Sequence, residues 1–329
     1  MRNYFRYKNS IFSIGLLLLL ALAGILLSLK VGAVNISWRE ILSNKNKEIV
    51  DIIYTIRLPR IVMALLVGGG LSLSGAGLQV LLRNPLAEPY IVGVSSGASL
   101  GMIIFLGLRK AIGFSFSFMP VAAFVGGLLS VIIVYRISLV AGQLSTNSFL
   151  LVGIMIGTFL WSWSALMMLL SKENIYTVML WLMGSFSGSS WQKVLAVLPY
   201  WLVGFILLVF RSRELNLLTL GEEQAFYLGV NVEKLKRELI FSTTVLTSAC
   251  VAVSGIIGFI GLLVPHISRF IWGADHRILL FTATLLGGTF LLFSDTLART
   301  LVTPAEIPVG IITALIGAPL FCWLLKKNE

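Results

Sequence analysis

Charge is scarce in this chain. Of its 329 residues, 12% are Asp, Glu, Lys or Arg, against about 25% in soluble globular domains. Cysteine and histidine are scarcer still, at two each. Cys250 and Cys322 lie far apart in apolar segments, which favours small core hydrophobes over a disulfide or a metal site. No HExxH or CxxC occurs, and His266 and His276 each stand alone at a segment boundary, where a polar end-group is the expected role. No GxxxxGK[ST] loop occurs either, so the chain lacks that cradle for ATP phosphates. Without a catalytic constellation an enzyme is not expected, and no cofactor or metal is implied.

What is present is apolar surface. Hydrophobic residues make up 57% of the chain and the mean hydropathy is +0.96. A span needs about 20 mostly apolar residues, so this length holds on the order of ten and leaves no room for a large soluble domain. The predicted fold class is all-α: one polytopic transmembrane domain over residues 1–329. Apolar runs place spans near 10–30, 60–82, 91–108, 118–140, 148–170, 193–210, 237–256, 258–272, 278–298 and 307–325. Residues 237–272 are too long for one span, and Gly255, Gly258 and Gly261 mark a break. Ile175–Trp191 is only partly apolar and predicts a short helix on the outer side. Arg2, Arg6 and Lys8 precede an apolar run longer than the usual 7–15 residues of a signal peptide, which predicts a retained first span with its start inside. Lys326 and Lys327, with an even span count, put the C-terminus inside as well. The net charge of +11 could suggest nucleic acid. The bases are scattered at segment ends, however, where headgroups and topology use them, so the expected partner is the bilayer of a cell membrane.

A faint repeat runs through the chain. Arg57, Ser74, Gly75 and Pro85 recur as Arg237, Ser254, Gly255 and Pro265, each 180 positions later (237 − 57). Five predicted crossings separate the two starts, and an odd number inverts the second copy. An inverted repeat of about 57–170 and 237–325 is a recurrent transporter architecture; chance matching in a Gly- and Leu-rich chain is the alternative. Gly93, Gly97 and Gly101, and Gly153 with Gly157, form small-xxx-small steps that let helices approach closely in lipid.

Ten of the 39 charged residues fall between Arg211 and Glu238. Within this loop Thr219 and Glu222 are spaced as a capping box, and Gly229 suits the left-handed position beyond a helix end. The spacing predicts a helix of about two turns over Gly221–Leu228, with Ala225, Phe226 and Leu228 offering apolar contacts. Arg211, Arg213, Lys234, Lys236 and Arg237 flank it. It is either a solvated connector or a docking element. Arg57, Arg60 and Arg299 fall on the outer side in this topology, against the positive-inside tendency. They are either headgroup anchors or a docking surface for an acidic partner. Arg83-Asn84-Pro85-Leu86-Ala87-Glu88-Pro89 breaks a helix at the inner membrane edge, where irregular backbone lines a cavity or sits within protein. Ser145-Thr146-Asn147-Ser148 is a second polar cluster on that side, with helix capping as its plainer role.

Arg57-Leu-Pro-Arg60, Leu73-Ser-Gly-Ala-Gly77, Asn84-Pro-Leu-Ala-Glu-Pro89, Gly93-Val-Ser-Ser-Gly97, Gly258-Phe-Ile-Gly-Leu-Leu-Val-Pro-His266, Asp275-His-Arg277 and Pro304-Ala-Glu-Ile-Pro-Val-Gly310 together resemble the permeases of type II ABC importers. That family takes up ferric siderophores, haem, vitamin B12 and related chelates. The resemblance runs from about Arg57 to the end. It implies a homodimer of ten-span subunits, two cytoplasmic ATP-binding subunits and an extracytoplasmic binding protein. It implies that Arg57, Arg60 and Arg299 meet acidic residues of the binding protein. It also implies that the helix around Gly221, Glu222, Glu223, Ala225, Phe226 and Leu228 seats in the ATPase. Inner gates map onto Asn84 and Leu86, flanking Pro85, and onto Thr146 and Asn147; Asn147 departs from a smaller hydroxyl residue. The competing class is an ion-coupled secondary transporter, which needs ionisable groups at mid-membrane. Asp295 is the one acid well inside a predicted span.

Overall fold

The structure is a computed structural model that describes residues 2–32, 36–43, 46–113, 115–170, 175–303 and 305–328. Pro304 lies outside the described residues, as do the side chains of Arg2, Arg6, Lys8 and Lys327. In chain order it contains α1 (Arg2–Lys30), α2 (Trp38–Ser43) and α3 (Lys47–Asp51), then a π-helical segment, Ile52–Arg57, that runs into α4 (Leu58–Leu81). A 3-10 turn, Pro89–Val92, leads to α5 (Val94–Ile112), and another, Phe116–Phe118, to α6 (Met119–Ile137). A two-stranded hairpin, β1 (Leu139–Val140) and β2 (Gln143–Leu144), precedes α7 (Thr146–Leu170), α8 (Ile175–Leu182) and α9 (Trp191–Phe210). The polar stretch holds α10 (Ser212–Leu218) and α11 (Glu222–Tyr227). Then follow α12 (Val232–Ser254), α13 (Ile260–Trp272), α14 (His276–Ala298) and α15 (Val309–Asn328).

Each segment read as a span is helical, and 237–272 divides at Gly255 as its glycines suggested. Among the described residues, six helical stretches are long and apolar enough to cross a membrane: Phe12–Lys30, Lys47–Leu81, Phe116–Ile137, Thr146–Leu170, Trp191–Phe210 and His276–Ala298. Val94–Arg109, Ile260–Trp272 and Val309–Leu324 are shorter apolar helices. The partly apolar Ile175–Trp191 forms only the short α8.

Helix α4 is the centre. It is buried along nearly its whole length, against α14, α12, α13 and α9. Small residues make this possible, because in lipid close backbone contact replaces the hydrophobic drive. A Cβ on Gly68 would fall 2.2 Å from the carbonyl oxygen of Gly287. The steps read at Gly97 and Gly101 serve the same purpose between α5 and α6. A Cβ on either would lie 2.4 Å from a backbone oxygen, that of Gly126 or Ala122. The peripheral helices α1, α7 and α9 instead expose rows of Leu, Ile, Met and aromatic side chains, as lipid-facing elements do. Cys250 is buried in the core as expected, whereas Cys322 is exposed on α15, so the core reading holds for Cys250 alone.

Two breaks in the helices close on each other. The Glu88 carboxylate accepts from the Phe259 N–H at 2.7 Å. The Tyr90 hydroxyl donates to the Ile257 carbonyl at 2.8 Å and accepts from the Ile257 N–H at 3.0 Å. Gln79 donates to the Leu262 carbonyl at 3.2 Å and accepts from Arg269 at 2.9 Å. Irregular backbone among apolar helices is tolerable only when its polar groups are paired within the protein, and here each break supplies the other's partners.

The 180-residue offset does not map like onto like. Ser74 and Gly75 lie inside α4, while Ser254 ends α12 and Gly255 is its C-cap at φ +71°. Pro85 is in a loop, while Pro265 is inside α13. The four identities therefore do not mark equivalent positions.

Candidate functional site

Helix α4 separates two polar regions. Its 24 residues span about 36 Å at 1.5 Å per residue. At its N-terminal end Arg57, Arg60 and Arg299 gather, but they do not form the exposed surface the sequence suggested. They are 4%, 8% and 5% exposed. Arg60 grips Asp295 of α14 through two nitrogens, at 2.9 Å from Nε and from Nη2, and Glu306 at 2.9 Å from Nη1. Arg299 donates to the Ser28 carbonyl and hydroxyl, and Arg57 to the Leu29 carbonyl at the end of α1. Low-dielectric surroundings explain the inward turn: a guanidinium there takes every acceptor it can reach. Three cations against two carboxylates leave this cluster with one surplus positive charge.

At the other end stand α10 and α11. The capping box read at Thr219 and Glu222 is not formed. The Thr219 hydroxyl donates to the Asn216 carbonyl at 2.6 Å and so finishes α10, while Gly221 is the N-cap of α11. Glu222 instead accepts from the Lys236 ammonium at 2.6 Å. A charge-assisted bond to a buried cation outcompetes a neutral bond to backbone. Gly221 is at φ +131°, and a Cβ there would lie 2.0 Å from Gln224 Oε1 and 3.3 Å from the Arg83 guanidinium. The C-terminal reading holds. Gly229 is left-handed at φ +85°, its N–H bonds the Phe226 carbonyl at 2.9 Å, and the Val230 N–H bonds the Ala225 carbonyl at 3.0 Å. These two bonds are a Schellman closure. Ala225 is buried rather than offered outward, and Val230 packs in the same cluster. Phe226 (68% exposed) and Tyr227 (77%) project with Leu220 and Leu228, and Glu223 is exposed beside them.

Neighbouring polar contacts fix this end. Asn216 of α10 donates to Asp275 at 2.8 Å and accepts from the His276 N–H at 2.8 Å, tying α10 to the start of α14. Hydrogen bonding from Arg277 is the main force holding the Asp275 carboxyl down at about 2. Arg211 pairs with Glu238 at 2.6 Å and Glu214 at 2.8 Å.

The two polar clusters expected near a gate are on separate loops at this same end. Asn84 Oδ1 accepts from the Leu86 N–H at 2.8 Å, an Asx turn that leaves Pro85 and Leu86 exposed. Ser145 caps α7, accepting from the Ser148 N–H at 3.3 Å. Thr146 is half-buried and Asn147 exposed in the first turn. Asn147, Leu151, Met155, Thr158 and Ser162 follow at helical spacing along one exposed face of α7.

Residues 18–327 match the profile of the FecCD transport family. The chain belongs to the FecCD transport family. Among its FecCD-like relatives is the hemin transport system permease protein HmuU of Yersinia pestis, 41% identical over 320 residues, which are 96% of each chain. Another is the vitamin B12 import system permease protein BtuC of Vibrio vulnificus, 40% identical over 95% of this chain and 94% of that one. A solved inward-facing structure described as a metal-chelate type ABC transporter superposes with a TM-score of 0.86. It is 36% identical and covers 94% of this chain and 97% of that one. This FecCD chain is thus an all-α, multi-pass membrane protein of a transport permease family.

Sequence reasoning missed three FecCD residues that the structure makes central. Lys236 looked like one flank of a basic loop, yet it is 3% exposed. Glu306 gave no sign that it reaches Arg60. Tyr90 carries no distinguishing signal in the sequence, yet it closes the two breaks. Only Asp295, an acid inside an apolar run, carried a signal legible beforehand.

Proposed function

We propose that this chain is the membrane permease of an ATP-driven importer for an iron–siderophore, haem, cobalamin or similar metal chelate. Two copies form the path, two separate ATP-binding subunits drive it, and an extracytoplasmic binding protein delivers the cargo. The chain lies in the cell membrane with both termini cytoplasmic. The observation that carries this reading is α11. In a FecCD chain without a phosphate-binding loop, a short preformed helix presents Leu220, Phe226, Tyr227 and Leu228 at one end of the bundle. Exposed aromatics of this kind dominate interfaces once a partner pocket buries them.

The other assignments follow from that orientation. The arginine end faces outward, and its surplus positive charge suits an acidic binding protein. Arg57, Arg60 and Arg299 supply that charge from beneath the surface, with Arg60 held by Asp295 and Glu306. Asn84, Pro85, Leu86, Thr146 and Asn147 gate the cytoplasmic exit, and the polar and methionine face of α7 lines the path. The helices form an inverted repeat in which α4, α5, α6 and α7 correspond to α12, α13, α14 and α15. Exchanged packing supports it: α4 lies on α14, and α12 on α6. Ion coupling is disfavoured because Asp295, the acid within a span, is already held by Arg60.

Phe226→Asp tests the reading. It should put an uncompensated charge into the partner's apolar pocket, release the ATPase from tagged permease and abolish uptake, while binding-protein docking at the far end survives. Retained co-purification with normal uptake would make α11 a connector.

A further inference from the structure

We propose that Lys236 is a positioning residue that fastens the ATPase-docking helix to one inner gate; the inference rests on the reading of α11 as the ATPase seat. Its ammonium is buried where three elements meet. It donates to Glu222 at the first turn of α11 at 2.6 Å, to Glu233 one turn back on α12 at 3.3 Å, and to the Leu144 carbonyl at the end of β2 at 3.1 Å. Glu233 completes the junction by accepting from the Leu144 N–H at 3.0 Å. Leu144 is two residues before Thr146, so both of its backbone polar groups are held by this cluster at the entrance to α7.

The same end of α11 lies near the other gate. A Cβ on Gly221 would come within 3.3 Å of the Arg83 guanidinium, and Arg83 directly precedes Asn84. A displacement of α11 therefore reaches Thr146–Asn147 through Glu222, Lys236 and Leu144, whereas no hydrogen bond or ion pair among the described residues ties α11 to Asn84–Leu86, so that gate responds independently of Lys236. A buried ammonium between two carboxylates and a carbonyl makes a stiff link. Without it Glu222 and Glu233 repel each other and the Leu144 carbonyl loses its ammonium donor. Such a cluster is retained where position matters more than stability.

The link predicts a separable defect. In the permease–ATPase complex in nanodiscs, with Cys250→Ala and Cys322→Ser as background, Asn147→Cys and Leu86→Cys report gate exposure to a bulky maleimide. Labelling is compared without nucleotide and after ATP–vanadate trapping. The original lysine should give a change of about fivefold or more at both positions, the range of ordinary coupling free energies. Lys236→Met should abolish the change at 147 and keep it at 86, while the ATPase stays bound and hydrolyses ATP. Lys236→Arg should restore the response. Glu222→Gln, which keeps the side-chain shape and leaves Glu233 to compensate Lys236, should weaken it. A normal response at 147 in both Lys236→Met and Glu222→Gln overturns the proposal. So does loss of assembly in Lys236→Met together with a normal response in Glu222→Gln. An unresponsive 147 with Lys236 intact would instead count against the gate assignment, and Phe226→Asp separately tests the docking assignment.

Discussion

At the scale of single residues, buried charge decides most. Arg60 and Asp295 are paired where little water reaches, and removing one partner leaves the other uncompensated at a cost of about 3–5 kcal/mol. Arg60→Met should therefore lower the melting temperature in detergent sharply. Arg60→Met with Asp295→Leu should recover most of the loss, since both charges then go together. A single variant that melts with the wild type would mean the pair is solvated. For the same reason Arg60→Glu, and equally a charge reversal at the buried Arg57 or Arg299, would report on folding as well as on docking. Asp275 gives a pH dependence. Its carboxyl titrates at about 2 in the fold against 3.8 as the ordinary value. A depressed pKa stabilises the fold fully above the ordinary value and is lost as pH falls towards 2. The stability difference between wild type and Asp275→Asn should thus be constant near neutrality and shrink between about pH 4 and 2. A difference that grows on acidification would assign the wrong sign to the interaction.

At the scale of elements, contact distance between helices is the controlling quantity. Helix α5 contains Gly97, whose Cβ would strike the Gly126 carbonyl oxygen, and Gly107, whose Cβ would meet nothing within 4 Å. Both sit in the same helix, so intrinsic propensity is matched and packing alone differs. Gly97→Leu should cost about 1–3 kcal/mol or more by overpacking, whereas Gly107→Leu should be close to neutral. Thermal unfolding of the two variants side by side checks this, and equal effects would show that the close approach at Gly97 carries no special cost, since the propensity gain from Gly to Leu is the same at both sites. The element-level expectations that failed did so for a related reason. The Thr219–Glu222 box was a sound local pattern, but Lys236, fourteen residues on, offered Glu222 a stronger partner. Sequence spacing is blind to such competition.

At the scale of the whole molecule, the proposed inversion is the claim to test. Glu48 precedes α4 and Glu223 precedes α12, and both are exposed. If the two halves run oppositely through the bilayer, Glu48→Cys and Glu223→Cys should react with a membrane-impermeant reagent from opposite faces of sealed vesicles. Labelling of both from one face would remove the inverted repeat, and labelling of Glu48→Cys from the inner face would remove the assignment of the arginine end to the outside. The offset identities seen in the sequence could not carry this point, because the residues they pair occupy different places in their helices. Correspondence between halves belongs to helix order and packing partners.

The sequence alone determined that this is an all-helical membrane protein, where its long helices run, where the chain breaks and where α11 ends. Those features depend on local apolar length, glycine conformation and proline, all written within a few turns of chain. Family membership was also legible, through Arg57-Leu-Pro-Arg60, Asn84–Pro89 and the Gly258–His266 run. Only the tertiary structure decided that the three arginines turn inward, that Glu88 and Tyr90 knit the two breaks, and that Lys236 stands between docking helix and gate. Each of these joins residues from distant parts of the chain. In a medium without water, a buried polar group must find its partner wherever the packing places one, and packing is not readable from spacing.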